Sequence, residues 1–224
     1  SMTELSEIRP AGRILDKFKI NMHGDVLRVI SESQKRPIHT ELETFDLSNP
    51  QRPAKLGSVT LGKNESLHAT RFDGEKAYIV TFFRIDPLWV VDLSDPANPT
   101  ISGELEVPGW STYIQPLGDR LLSIGIDNVE GWRVSVSLFN VADPANPGLL
   151  SRVPIGNNHS WSEANNDEKA FGWIEDAGLI LVPFQSYEES GSTAGVQLID
   201  LEGDELTKRG VIEHTVAPRR STLK

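Results

Sequence analysis

Cysteine is absent from the 224-residue chain. That absence excludes disulfides, thiolate metal sites and a cysteine nucleophile. Positive charge is scarce: 22 Lys and Arg stand against 32 Asp and Glu, for a net charge of -10. Broad nucleic-acid binding needs Lys and Arg to neutralise phosphates, so no nucleic-acid partner is expected. No apolar run reaches the about 18 residues of a membrane-spanning helix, so no membrane span is expected in this chain. The opening Ser1-Met2-Thr3-Glu4 has no basic-then-apolar leader. It reads as the scar of a cleaved tag on a chain trimmed from something longer. Signatures of common chemistries are missing too: there is no Gly-x-Ser-x-Gly elbow, phosphate loop or dinucleotide fingerprint. The five His, at 23, 39, 68, 159 and 214, show no paired metal spacing.

What the chain has in quantity is 18 Gly, 14 Pro and a recurring phrase. The phrase reads Phe45-Asp46-Leu47-Ser48-Asn49-Pro50, then Val91-Asp92-Leu93-Ser94-Asp95-Pro96-Ala97-Asn98-Pro99, then Phe139-Asn140-Val141-Ala142-Asp143-Pro144-Ala145-Asn146-Pro147. A decayed copy is Ile199-Asp200-Leu201-Glu202-Gly203-Asp204. A recurrence of about 50 residues fits propeller blades. In physical terms an apolar strand ends at Asp or Asn, and Asp-Pro then opens a turn in which Pro presets φ and Asp accepts backbone N–H bonds. The second Pro delays the next strand and protects an edge. Around each phrase lie short apolar strands with a Gly hairpin between the first two. Alternation is plain in Ala77-Tyr78-Ile79-Val80-Thr81-Phe82, and no segment sustains a helical apolar period. The expected architecture is all-β: a β-propeller of about four four-stranded blades. The blades are expected at about 17–64, 65–109, 110–157 and 158–214, with an N-terminal segment 1–16 and a tail 215–224. A closed ring, with Arg13–Leu15 completing the last sheet, and an open arc of a larger propeller are both compatible with the pattern. An arc would expose its terminal blades and invite self-association.

Several motifs resemble a known family. They are Thr70-Arg71-Phe72-Asp73-Gly74, Pro108-Gly109-Trp110-Ser111-Thr112-Tyr113, Pro116-Leu117-Gly118-Asp119, Asp167-Glu168-Lys169-Ala170-Phe171 and Leu201-Glu202-Gly203. In this order they are similar to the bacterial and archaeal beta propeller domain family, which is distantly related to WD-type repeats. The resemblance covers about residues 65–214. It implies a propeller in a secreted or surface-anchored, extracytoplasmic protein, and it brings no catalytic residue set. Members usually carry His where this chain has Glu168, and further repeats upstream.

In propellers, loops joining strand four to the next strand one share a face with loops joining strands two and three. Four of the five Trp, at 89, 110, 132 and 161, fall in or beside these loops, and scaffold loops are where binding concentrates. The candidate binding residues are Arg84, Asp86, Trp110, Trp132, His159, Trp161, Glu163 and Tyr187. The competing reading is that the Trp merely pack between blades. The longest irregular stretch, Gly156–Lys169, is of a kind that is often functional. Its His159, Glu163 and Asp167 are compatible with a metal site, or with side chains bonded to the loop's own backbone. Asp127 and Glu130 are weak candidates for Ca²⁺, offering hard oxygen ligands without the twelve-residue loop pattern; otherwise no cofactor is expected. Three functional readings follow. The leading one is a non-enzymatic binding or scaffold module that engages a protein, peptide or glycan. A second is a hydrolase or lyase with a metal or carboxylate site at the propeller mouth, which requires His159, Glu163, Asp127 or Arg84 to converge. The third is a purely structural or dimerising segment.

Overall fold

Each repeated phrase ends its strand with the same bonds. Asp46, Asp92 and Asn140 each turn a side-chain oxygen onto the amide two residues on, at Ser48 (2.8 Å), Ser94 (2.9 Å) and Ala142 (2.9 Å). The amide just after the anchor reaches back to the hairpin between the second and first strands. The pairs are Leu47 to the Asp25 carbonyl, Leu93 to Glu75, Val141 to Asp119 and Leu201 to Gly178, all between 2.7 and 2.8 Å. The fourth copy, decayed in sequence, keeps this bond. The hairpin positions Gly24, Gly74, Gly118 and Gly178 have φ between 52 and 65°, a region where a Cβ costs energy and glycine does not.

The computed structural model describes residues 5–83, 86–157, 159–188 and 191–221. Four antiparallel sheets are each built from strands consecutive in sequence. The first comprises β1 (Ile20–His23), β2 (Val26–Glu32), β3 (Thr40–Asp46) and β4 (Ala54–Leu61). The second comprises β5 (Ser66–Asp73), β6 (Lys76–Phe82), β7 (Asp86–Asp92) and β8 (Thr100–Val107). The third comprises β9 (Trp110–Leu117), β10 (Arg120–Asp127), β11 (Arg133–Asn140) and β12 (Gly148–Ile155). In the fourth, β13 (His159–Trp161) and β14 (Gly172–Ile174) share the inner edge of β15 (Leu179–Glu188), followed by β16 (Gly191–Glu202) and β17 (Glu205–His214). The chain is an all-β propeller of about four four-stranded blades.

A register shift recurs where the third strand meets the fourth, between Thr44 and Phe45, Leu138 and Phe139, and Leu198 and Ile199. Bulges of this kind sharpen local twist. The middle strands are buried on both faces, as β11 shows, whereas outer strands such as β8 and β17 keep mostly exposed or half-buried residues. That gradient is why middle strands read as near-continuous apolar runs and outer ones carry charges such as Glu104 and Glu106.

The chain divides into two compact units, residues 1–106 with 144–146, and residues 107–143 with 147–224. The core of the first includes Ile30, Leu42, Ile79 and Val91. The core of the second includes Leu122, Ile124, Val136, Leu138, Ile180 and Val182. Truncating one such Leu or Ile to Ala typically costs 2–5 kcal/mol.

Three segments depart from expectation. Arg13, considered as a strand for the last sheet, exchanges backbone bonds with Glu32 of β2 (2.8 and 2.9 Å). Beside it the Ala11 and Gly12 amides bond the Glu43 carboxylate (2.7 Å) and Ser31 Oγ (3.1 Å). The terminal segment therefore lies along the first sheet. Second, the stretch taken as one irregular loop, 156–169, holds β13 and a 3-10 turn at Glu163–Asn165, and a second 3-10 turn, Glu168–Ala170, spans its end. Ser162 and Asp167 cap these turns by accepting the Ala164 and Lys169 amides. Third, Tyr187, expected on a loop, lies in the long β15–β16 hairpin, whose ladder continues to Glu188 and Gly191. On the fourth sheet, Leu179, Leu181, Val196 and Leu198 share a groove of about 430 Å³ with Arg220 and Ser221 of the tail.

Candidate functional site

The second unit gathers aromatic side chains at the ends of β9, β11, β13 and β15. Gly109, at φ 85°, lets the chain enter β9: a Cβ there would collide with the Ile126 carbonyl. Across the ladder, a Cβ on Gly125 would collide with the Trp110 carbonyl. A register shift between Ile124 and Gly125 then aims Trp110 toward the β10–β11 turn. There Trp132 meets it edge to face, ring centroids 5.0 Å apart and planes at 74°. Such pairs contribute about 0.5–1.5 kcal/mol beyond area burial.

Trp132 is joined to the next strand through backbone. It forms a parallel bridge with His159, and its carbonyl accepts the Ser160 amide at 2.9 Å. Ser160 is buried, and its hydroxyl accepts the Val134 amide (2.8 Å) while donating to the Ile155 carbonyl (2.6 Å). This one side chain clamps β13 onto β11. His159 pairs with Tyr187 across the β13–β15 ladder, and their rings lie 5.9 Å apart. Trp161, two residues on from His159, points to the same side of the strand. The result is a strip of rings, Trp110, Trp132, His159, Tyr187 and Trp161. Of these Trp132 is 54%, Tyr187 45% and Trp161 39% exposed. Large side chains this open, related through the Trp132–His159 bridge and the β13–β15 ladder, present rigid contact area that has not been spent on the core.

The strip is bounded by charge. Asp127 and Arg133 face each other where the β10–β11 hairpin opens. Arg133 Nη2 bonds Asp127 Oδ2 at 3.2 Å and Glu130 Oε2 at 3.4 Å, and Asp127 Oδ1 accepts the Val129 amide at 3.0 Å. The two carboxylates considered for Ca²⁺ thus share a cation from their own chain. Among the described residues no group of three His, Asp or Glu is placed to hold a metal. Asp167 is engaged by Arg220, which together with the Lys169 amide holds its carboxyl below the usual range.

Trp110, Trp132, His159, Trp161 and Tyr187 are therefore brought together. Glu163 is not part of the strip: it opens the 3-10 turn after Ser162. Arg84 and the side chain of Asp86 lie outside the described residues. Trp89, counted among the loop-side Trp, packs on the core of the first unit and donates Nε1–H to Thr81 Oγ1 at 2.9 Å. The convergence needed for an acid–base or metal site is not seen: His159 stacks near Tyr187 and Asp127 pairs with Arg133, with no hydrogen bond between His159, Glu163 and Asp127 among the described residues. Two residues were missed. Arg133 was legible, since it stands three residues from Glu130. Ser160 was not, because nothing in Asn-His-Ser-Trp separates a clamp from a solvated serine.

Comparison with known proteins bears on the fold. A family model described as "Beta propeller domain" matches residues 2–224. An uncharacterized protein of Methanocaldococcus jannaschii is 34% identical over 181 residues, covering 80% of this chain and 29% of its own length. An uncharacterized protein of Archaeoglobus fulgidus is 32% identical over 173 residues, covering 77% of this chain and 26% of its own length. The chain thus spans less than a third of either relative. Among solved structures, the beta-propeller domain of the trilobed protease from Pyrococcus furiosus covers 86% of this chain and 56% of its own, with 14% identity and a TM-score of 0.49. With its four meandering sheets and a family match over nearly its whole length, the chain belongs to the beta propeller domain family.

Proposed function

We propose that the chain is a non-enzymatic binding module whose loop face, at the aromatic strip of the second unit, engages a protein, peptide or glycan. The observation that carries this reading is the exposure of Trp132, Tyr187 and Trp161 next to ordered, backbone-clamped neighbours. Three exposed rings held by strand pairing are costly to keep in water unless something covers them. Aromatic anchors of this kind dominate interface energetics. Flat rings also suit the apolar faces of sugars and prolyl or aromatic side chains of peptides. The Arg133, Asp127 and Glu130 group at the edge supplies hydrogen-bonding capacity for orientation.

The test uses an oligosaccharide panel and a random-peptide display library as probes. Binding is expected to be lost on replacing Trp110, Trp132 and Trp161 together with Ala, with the β-sheet circular dichroism retained. Undiminished binding by the folded triple variant would refute the face assignment. The reading includes an extracytoplasmic location, which rests on the family resemblance alone. Protease shaving of intact cells that express the protein tests it: cleavage without lysis supports it, and protection overturns it.

A further inference from the structure

Trp173 is the one Trp that falls outside the expected loop face. It sits in β14, opposite Ile180 of β15, and is half-buried against the core of the second unit. Its indole Nε1–H is closed off from solvent and has no acceptor among the described residues. Buried donors left unpaired are rare and call for an explanation. The ring also lines a cavity of about 440 Å³ that lies wholly within the second unit. Small-molecule sites typically measure roughly 300–1,000 Å³.

Three turns wall the cavity. The β9–β10 turn brings Gln115, Leu117 and Arg120, the 3-10 turn Glu175–Ala177 brings Glu175, and the end of β16 brings Leu201. These strand ends are opposite to those that carry Trp110, Trp132 and His159, so the cavity and the aromatic strip lie at opposite ends of the blades. The walls are tied to one another. Arg120 Nη1 donates to the Gly203 carbonyl and, at 3.3 Å, to Asp204 Oδ1, which joins the β9–β10 turn to the β16–β17 turn. The Leu201 amide reaches the Gly178 carbonyl at 2.8 Å. Gln115 is set in place by its Nε2, which donates to the Pro116 carbonyl (3.3 Å), and by its Oε1, which accepts the Tyr113 hydroxyl (2.8 Å). Glu175 is exposed at the rim.

We propose that this cavity is a second binding site and that it takes a neutral sugar of one or two rings. Its polar lining is a guanidinium, a carboxylate and an amide, each planar with paired polar atoms. Groups of that shape bond two adjacent hydroxyls at once, and hydroxyls both donate and accept. Charge argues for a neutral ligand. Arg120 is already shared with Asp204, Glu175 repels an anion, and the chain carries a net charge of -10. Trp173, Leu117 and Leu201 supply the apolar surface that the C–H face of a sugar ring needs. A hydroxyl oxygen seated at the ring edge is the acceptor that Nε1–H lacks. The inference does not depend on the aromatic strip, which shares no residue with the cavity.

The test titrates the full chain by calorimetry with glucose, galactose, mannose, N-acetylglucosamine and their β-linked dimers. Saturable binding of at least one of them is expected. Glu175→Ala, at an exposed position, should keep the circular dichroism spectrum and weaken that binding about tenfold, as loss of a hydrogen bond to a charged group does. The variant with Ala at Trp110, Trp132 and Trp161 should still bind the sugar. Its remaining fluorescence comes from Trp89 and Trp173 and should change on saturation. Sugar binding that is lost in this folded triple variant yet untouched by Glu175→Ala would move the ligand to the strip and overturn the proposal. No saturation by any sugar would overturn it as well. So would saturation by a free amino acid or inorganic phosphate in place of a sugar.

Discussion

Replacing Ser160 with Ala should destabilise the second unit well beyond what the loss of one small polar atom suggests. The hydroxyl satisfies two backbone groups in residues that are fully buried, the Val134 amide at 2.8 Å and the Ile155 carbonyl at 2.6 Å. No water or side chain can replace it without opening the β11–β13 contact. Leaving a buried amide without an acceptor costs about 1–3 kcal/mol, against the 0.5–1.5 kcal/mol of an ordinary exchangeable bond. A working figure is about 2 kcal/mol, and for a chain of this length that lowers Tm by roughly 4–8 °C. The loss should also loosen the Trp132–His159 bridge, so the tryptophan emission of the folded variant should shift to the red. Differential scanning calorimetry and fluorescence on the same samples measure both. A Tm equal to that of the unmodified chain, with an unshifted emission maximum, would show that Ser160 is not the clamp described.

Other expectations follow from the same bonds. Trp132→Ala, at a half-exposed site whose main contact is one edge-to-face ring, should cost only about 1 kcal/mol in a denaturant titration yet remove most probe binding. Glu43 is 3% exposed and accepts both the Ala11 amide and Lys55 Nζ (2.7 and 2.9 Å), so Glu43→Gln should cost about 2 kcal/mol and expose residues 5–13 to limited proteolysis. Millimolar Ca²⁺ should leave Tm unchanged, because Asp127 and Glu130 are already both paired with Arg133; a ligand-linked rise in Tm would contradict this. Burial, with Lys19 opposing and Glu32 favouring protonation, holds His68 below its usual 6.5. The unfolded chain therefore takes up the proton first as pH falls through 6.5, and this contribution to stability, full above that pH, is lost below it. His68→Gln should flatten that part of a Tm-against-pH curve.

The architecture was legible because its signals are local. Asp-Pro and Gly punctuation acts within two or three residues, and those residues make the side-chain and backbone bonds that close each blade. The Trp of the strip were legible as loop residues, since their strands could be counted from the repeat. What escaped was set by pairing across distance. The 156–169 stretch shows no strand pattern of its own, and β13 exists because residues 185–187, equally polar, run opposite it. The fate of Asp127 and Glu130 turned on a neighbouring guanidinium, and that of His159 on which ring stood across the ladder. Composition distinguishes neither.

Apart from β13, which skips β14 to pair with β15, the sheets pair strands that follow one another in the chain. Nothing within a blade has to wait for a distant partner, so the loop-closure entropy that slows most all-β proteins is small here. During synthesis a blade can close once its fourth strand leaves the ribosome, and the turn that emerges next packs on Gly57 of the first blade and on Gly103 of the second. The order of the repeats along the gene thereby becomes an order of assembly in time.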